Sequence, residues 1–126
     1  MKQYETEGEP ITRHVGHHIR TIKESGDQRP VYGLFIAEKV NPELIFYLNA
    51  IAWRSSQYYQ GKIQIFPLEI DSLLTVLSTS NLSDLNSKSL LKALSSIFSD
   101  DLQSLGELDW VDKGFDLLQR NLGNSK

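Results

Sequence analysis

Two short and almost wholly apolar runs bracket a segment of helix length. Val31, Tyr32, Leu34, Phe35 and Ile36 form the first, and Ile63, Ile65 and Phe66 the second. A strand that does not alternate apolar with polar residues offers no face to water, so runs of this kind belong to parallel sheets covered on both sides. Between them Asn41-Pro42-Glu43 supplies a capping side chain, a proline at the first helical position and a carboxylate near the positive end of the helix dipole. Leu44, Ile45, Leu48, Ile51 and Ala52 carry that helix on to about Tyr58. Gly61 opens the second strand, Lys62 to Pro67, and a third helix covers about Glu69 to Leu77. A crossover helix between two apolar strands predicts a right-handed parallel βαβ unit. Only these two strands are legible. The chain is therefore either a small α/β module that completes its fold with a partner, or part of a larger α/β domain whose other strands lie outside it.

Before this block, Pro10 begins a helix on which Ile11, Val15, Ile19 and Ile22 form one apolar stripe, and Ser25-Gly26-Asp27 ends it. Arg29-Pro30 leads into the first strand. After it, STSNLSDLNSKS has the composition of a linker. Leu90, Leu91, Leu94, Ile97 and Phe98, then Trp110, Val111, Phe115, Leu118 and Leu122, make two further amphipathic stripes, which pack most economically back onto the βαβ unit. Residues 1–77 and 78–126 thus read as a domain core and a linker with a helical tail.

The absence of cysteine excludes disulfides, thiolate metal sites and thiol catalysis. No apolar run approaches the roughly 18 residues of a membrane span, and no signal-peptide pattern opens the chain, so a soluble cytoplasmic protein without a membrane partner is expected. The net charge of −3 is spread evenly. No segment has the basic excess of an autonomous nucleic-acid binder.

Few residues offer chemistry. His14, His17 and His18 stand at helical spacings, and His14 with His18 could reach one metal ion, but the third ligand would have to come from Glu5, Glu7 or Glu9; a partly solvated helix face is the better account of them. No G-x-S-x-G elbow and no glycine-rich phosphate loop is present. Asp27, Glu38 and Lys39 fail as a metal-dependent nuclease site, because Glu38 and Lys39 are adjacent and on a strand point to opposite faces. Tyr58-Tyr59 and Trp53-Arg54 offer planes for base stacking, or simply core and rim positions on the crossover helix. Gly33 within the first strand predicts close approach by a neighbouring segment.

The order of elements and their local wording then become suggestive. Glu9-Pro10-Ile11-Thr12-Arg13-His14-Val15, a strand ending Gly33-Leu34-Phe35-Ile36, a helix, and Gly61-Lys62-Ile63-Gln64-Ile65 running into Leu68-Glu69-Ile70-Asp71-Ser72-Leu73-Leu74 resemble the second half of the cleavage domain of type IIS restriction endonucleases of the FokI and AlwI kind. The resemblance covers about residues 3 to 77. It implies a three-layer restriction-endonuclease-like α/β fold, present in part. It also implies Mg²⁺-dependent cleavage of double-stranded DNA in the intact enzyme, by an aspartate and a following Asp/Glu-x-Lys on a hairpin that would precede Met1. On this reading the chain lacks the catalytic motif, binds no cofactor alone, and works as a homodimer or with a missing N-terminal half. Glu9 and Arg13 match the spacing of an acid and an arginine in the FokI-like dimer interface, and the same pair is an ordinary i, i+4 support. Arg13, Arg20, Lys23 and Lys62 are the candidates for DNA-backbone contact. Two other functions remain open: a non-catalytic interaction module, and a metal-dependent hydrolase built on His14 and His18.

Overall fold

A computed structural model describes residues 9–27, 29–78 and 86–122, with the backbone alone for Glu9. It is mixed α/β, with five α-helices and a two-stranded parallel sheet at its centre among the described residues. In chain order the elements are α1 (Glu9–Glu24), β1 (Gly33–Ala37), α2 (Pro42–Ile51), β2 (Ser55–Ser56), β3 (Gly61–Lys62), β4 (Ile65–Glu69), α3 (Ile70–Ser78), α4 (Ser87–Ile97) and α5 (Glu107–Leu122). A 3₁₀ turn at Asp100–Leu102 joins the last two helices.

The expected parallel pairing is present. β1 and β4 run side by side, with Gly33 opposite Ile65, Leu34 opposite Phe66 and Phe35 opposite Pro67. Because side chains alternate along a strand, this register sorts the sheet into two faces. Phe35 and Ile65 join Val15 and Ile19 of α1 and Leu44, Ile45 and Leu48 of α2 in one buried cluster. Phe66 and Leu68 join Leu94, Ile97, Trp110 and Leu118 of the C-terminal helices in the other, with Leu34 packed against it. β4 is buried at Ile65, Phe66, Pro67 and Leu68, whereas β1 leaves Ile36 42% exposed. The tail therefore does close one face of the βαβ unit, as its apolar stripes predict. Trp110 is its centre, fully buried, with its indole N–H donating to the Ile97 carbonyl at 3.1 Å.

Gly33 behaves as read. A Cβ there would sit 3.1 Å from Ile65 and 3.2 Å from Val15, so only glycine lets α1 and β4 approach. At α2 the Asn41 side chain accepts from the Glu43 N–H at 2.8 Å, a local bond that fixes the start of the helix.

Three expectations need correction. α2 stops at Ile51 and does not reach Tyr58. The residues beyond it form a hairpin, β2 pairing antiparallel with β3, so Tyr58 and Tyr59 sit on a turn. Tertiary contact overrides local preference here: the Tyr59 ring lies where a Cβ on Gly16 would be, 2.7 Å from its nearest atoms, so the bare α1 surface at Gly16 receives the hairpin. Second, the predicted strand from Lys62 to Pro67 is two elements, because Gly61–Lys62 belongs to the hairpin and the parallel strand begins at Ile65. Third, the serine-rich passage is not linker to its end. Asn86 caps α4, accepting from the Ser89 N–H at 2.9 Å, and helix begins at Ser87; residues 79–85 of that passage lie outside the described ones. Leu91, counted in the apolar stripe, is 46% exposed.

Candidate nucleic-acid interface

The hairpin folds back against the C-terminal half of α1, and the two elements with the Arg29-Pro30-Val31 lead enclose a cleft of about 310 Å³. Lys23 reaches it from the last turn of α1, Lys62 from β3, and Arg29 from the lead into β1. Its floor is apolar, with Ile19, Ile22 and Val31, and Ser55, Gln60 and Gln64 add polar groups at the hairpin side. No carboxylate lines it among the described residues. Neither lysine forms an ion pair within those residues.

Arg29 is held differently. Its backbone N–H and its guanidinium both donate to Asp27, with Nε at 2.9 Å and Nη2 at 2.6 Å from Oδ2. These side-chain and backbone hydrogen bonds draw the Asp27 carboxyl below its usual range and raise Arg29, because both favour the charged pair. The pair uses Nε–H and one Nη2–H, which leaves three of the five guanidinium N–H groups available. At the lip of the same cleft Gln60 has φ of 64°, the left-handed region, and it is the one non-glycine residue with positive φ among those described. That conformation costs an ordinary residue about 1 kcal/mol, and such strain gathers at functional sites.

The other candidates fall elsewhere. Arg20 is engaged by Glu24 through Nε at 3.1 Å and lies over the Tyr58 ring at 4.8 Å. Arg13 is exposed on α1, and the Glu9 side chain is not among those described, so the proposed Glu9–Arg13 pairing falls outside what the structure covers. His14 and His18 are exposed, while His17 packs edge-on against Tyr59 with ring centres 5.4 Å apart. Among the described residues no three His, Cys, Asp or Glu side chains form a group able to hold a metal ion; Glu5 and Glu7 lie outside them. Trp53 is half-buried against Phe98 rather than presented for stacking, whereas Tyr58 is 60% exposed.

The carboxylates near the C-terminal ends of the parallel strands do not supply a Mg²⁺ site either. Glu38 is exposed, and Glu69 spends one oxygen on the Val40 N–H at 2.9 Å, which ties the end of β4 to the start of α2. Asp112 shares a second cleft of about 250 Å³ with Glu69. A Mg²⁺-dependent nuclease site needs a lysine beside its two carboxylates, and among the described residues none lines this cleft.

Sequence reasoning found Lys23 and Lys62 but not Arg29, because a dipeptide Arg-Pro reads as a strand lead and the cleft exists only once the hairpin is formed. No helix among the described residues is long and apolar enough to cross a membrane. No curated protein and no solved structure matches the chain significantly. The family model described as AlwI restriction endonuclease matches residues 1–76, the segment that runs from the lead of α1 through almost all of α3. Since that match spans more than half of the chain, the protein belongs to the AlwI restriction endonuclease family, whose members are DNA-cleaving nucleases.

Proposed function

We propose that this chain is the C-terminal, supporting portion of a type IIS-like restriction endonuclease that cleaves double-stranded DNA with Mg²⁺ when intact and is inactive alone. The observation that carries the proposal is the family match over residues 1–76. Two others support it. The central sheet has two parallel strands, one of them half-covered, which suits a sheet that continues into further strands of a three-layer restriction-endonuclease-like fold. The covered face of that sheet, packed by Phe66 and Leu68 against the C-terminal helices, suits one flanking layer of such a fold. The metal-binding carboxylates and the lysine would come from a D…(D/E)-x-K segment ahead of these residues or from a second chain. Residues 1–77 would then be the end of the cleavage domain and 78–126 the tail that covers it. Glu9 and Arg13 would serve a homodimer contact, in the cytoplasm.

The coding DNA immediately upstream tests this directly. A D…(D/E)-x-K segment in frame, or displaced by one frameshift, within on the order of a hundred codons would support the proposal, that being the size of the domain half required. An unrelated gene ending in its own terminator would overturn the split arrangement.

One observation favours a second reading, a non-catalytic interaction module. Ile70, Leu74 and Leu77 are 41%, 56% and 47% exposed on one side of α3. A purified chain that forms a stable oligomer, and loses it on Leu74→Lys without loss of helix content, would favour that reading.

A further inference from the structure

We infer that the cleft between α1 and the β2–β3 hairpin anchors one phosphodiester of a nucleic-acid backbone, with Lys23 and Lys62 supplying charge and Arg29 a set of donors. The inference rests on the DNA-cleaving reading above and adds to it the place and chemistry of the contact.

Three observations converge on it. A chain with net charge −3 gathers three cations around one opening that no carboxylate lines among the described residues. The strained backbone of Gln60 sits at the lip of the same opening. Asp27 accepts from two N–H groups of the Arg29 guanidinium in a solvent-exposed pair, which leaves three donors for a ligand at the cleft. Ammonium and guanidinium groups are the ordinary partners of phosphate oxygens, so the contact positions DNA without reading its sequence. Arg20 is left out, because Glu24 and Tyr58 already occupy it.

The division of labour makes the cations distinguishable. The one phosphate neutralised in the cleft contributes about 0.9 to the slope of log K against log salt, shared among the cations that hold it. Arg29 is paired with Asp27, so its removal deprives the phosphate of donors and also bares a carboxylate beside the cleft.

The test measures binding of the full chain to a fluorescent 20-base-pair duplex of arbitrary sequence between 50 and 200 mM salt, by anisotropy, with amide NMR on the same samples. Lys23→Ala and Lys62→Ala should each weaken binding, the double variant should reduce the slope by about 1, and Arg29→Ala should weaken binding at least as much as either lysine. Lys88→Ala, on α4, should leave both unchanged; equal far-UV spectra for all variants exclude unfolding as the cause. In the wild type, the amides of Lys23, Gly61 and Lys62 should shift on adding duplex. Duplex binding with slopes and cleft amides unaffected would overturn the anchor and leave the DNA reading standing. No duplex binding at 50 mM salt would overturn the anchor and leave the supporting-portion reading, whose cutting part lies elsewhere, to the upstream-coding test. Cleft shifts that saturate with inorganic phosphate alone at micromolar concentration, and are not enhanced by duplex, would mark a small-anion site and overturn the backbone anchor.

Discussion

Gly114 lies within α5, where helix propensity alone says that alanine should be better by about 0.8–1 kcal/mol. The packing says the reverse. A Cβ at Gly114 would fall 2.5 Å from both Cε1 and Cζ of Phe66, about 1 Å inside the optimum for carbon–carbon contact. Phe66 has no room to retreat, being fully buried in β4 with its ring edge-on to Trp110 at 5.2 Å. Forcing a methyl into such a core costs about 1–3 kcal/mol, so Gly114→Ala should be destabilising by up to about 2 kcal/mol once the propensity gain is subtracted. At roughly 4 °C per kcal/mol for a chain of this size, Tm should fall by up to about 8 °C. Thermal and urea unfolding followed by near-UV circular dichroism would measure it. The same substitution made on a Phe66→Leu background should lose most of its penalty, a coupling of at least ~1 kcal/mol between residues in contact. If Gly114→Ala instead raises Tm equally in both backgrounds, α5 does not rest on β4 and the tail does not close the sheet.

Gly16→Ala would press a methyl against the Tyr59 ring, 2.7 Å away, and should loosen the hairpin selectively; amides of Ser55 and Lys62 should exchange faster while those of α4 and α5 keep their protection. Asn41→Ala should cost about 1 kcal/mol in urea unfolding through the lost cap of α2, and Asn41→Ser should recover most of it. The Asp27 carboxyl, held below its ordinary value of 3.8 chiefly by the side-chain hydrogen bonds from Arg29, should rise toward that value in Arg29→Ala by carboxyl-carbon NMR without reaching it, since the backbone N–H at position 29 still donates. Because the native value is lowered, the stabilisation from this pair is full above the ordinary carboxylate range and is lost as pH falls through the lowered value; the Arg29 amide should shift in that same acid window.

The parts of the fold legible in the sequence are those governed by local pattern. Val31 to Ile36 and Ile63 to Phe66 announced two strands, of which β4 is covered on both faces and β1 only in part, and Asn41-Pro42-Glu43 announced the helix between them, because burial and capping each leave a signature in a few adjacent residues. The hairpin left none. Ser55-Ser56 and Gly61-Lys62 have no alternation, and Tyr58 and Tyr59 continue the helical spacing of α2; what bends the chain is the fit of Tyr59 over Gly16, a residue some forty positions away. The basic cleft inherits that non-locality. Lys23 and Lys62 could be suspected singly, but their meeting with Arg29 depends on the hairpin folding back onto α1.

The claim that this chain supports a nuclease whose metal site lies elsewhere is tested most directly by plasmid cleavage. Supercoiled DNA with Mg²⁺ should stay intact in the presence of this chain alone. It should be cut when a D…(D/E)-x-K segment from a relative in the same family is joined ahead of Met1, and cutting should disappear when the lysine of that motif is changed to alanine. Mg²⁺-dependent cutting by the unextended chain, in proportion to its concentration and through repeated purification, would contradict the claim.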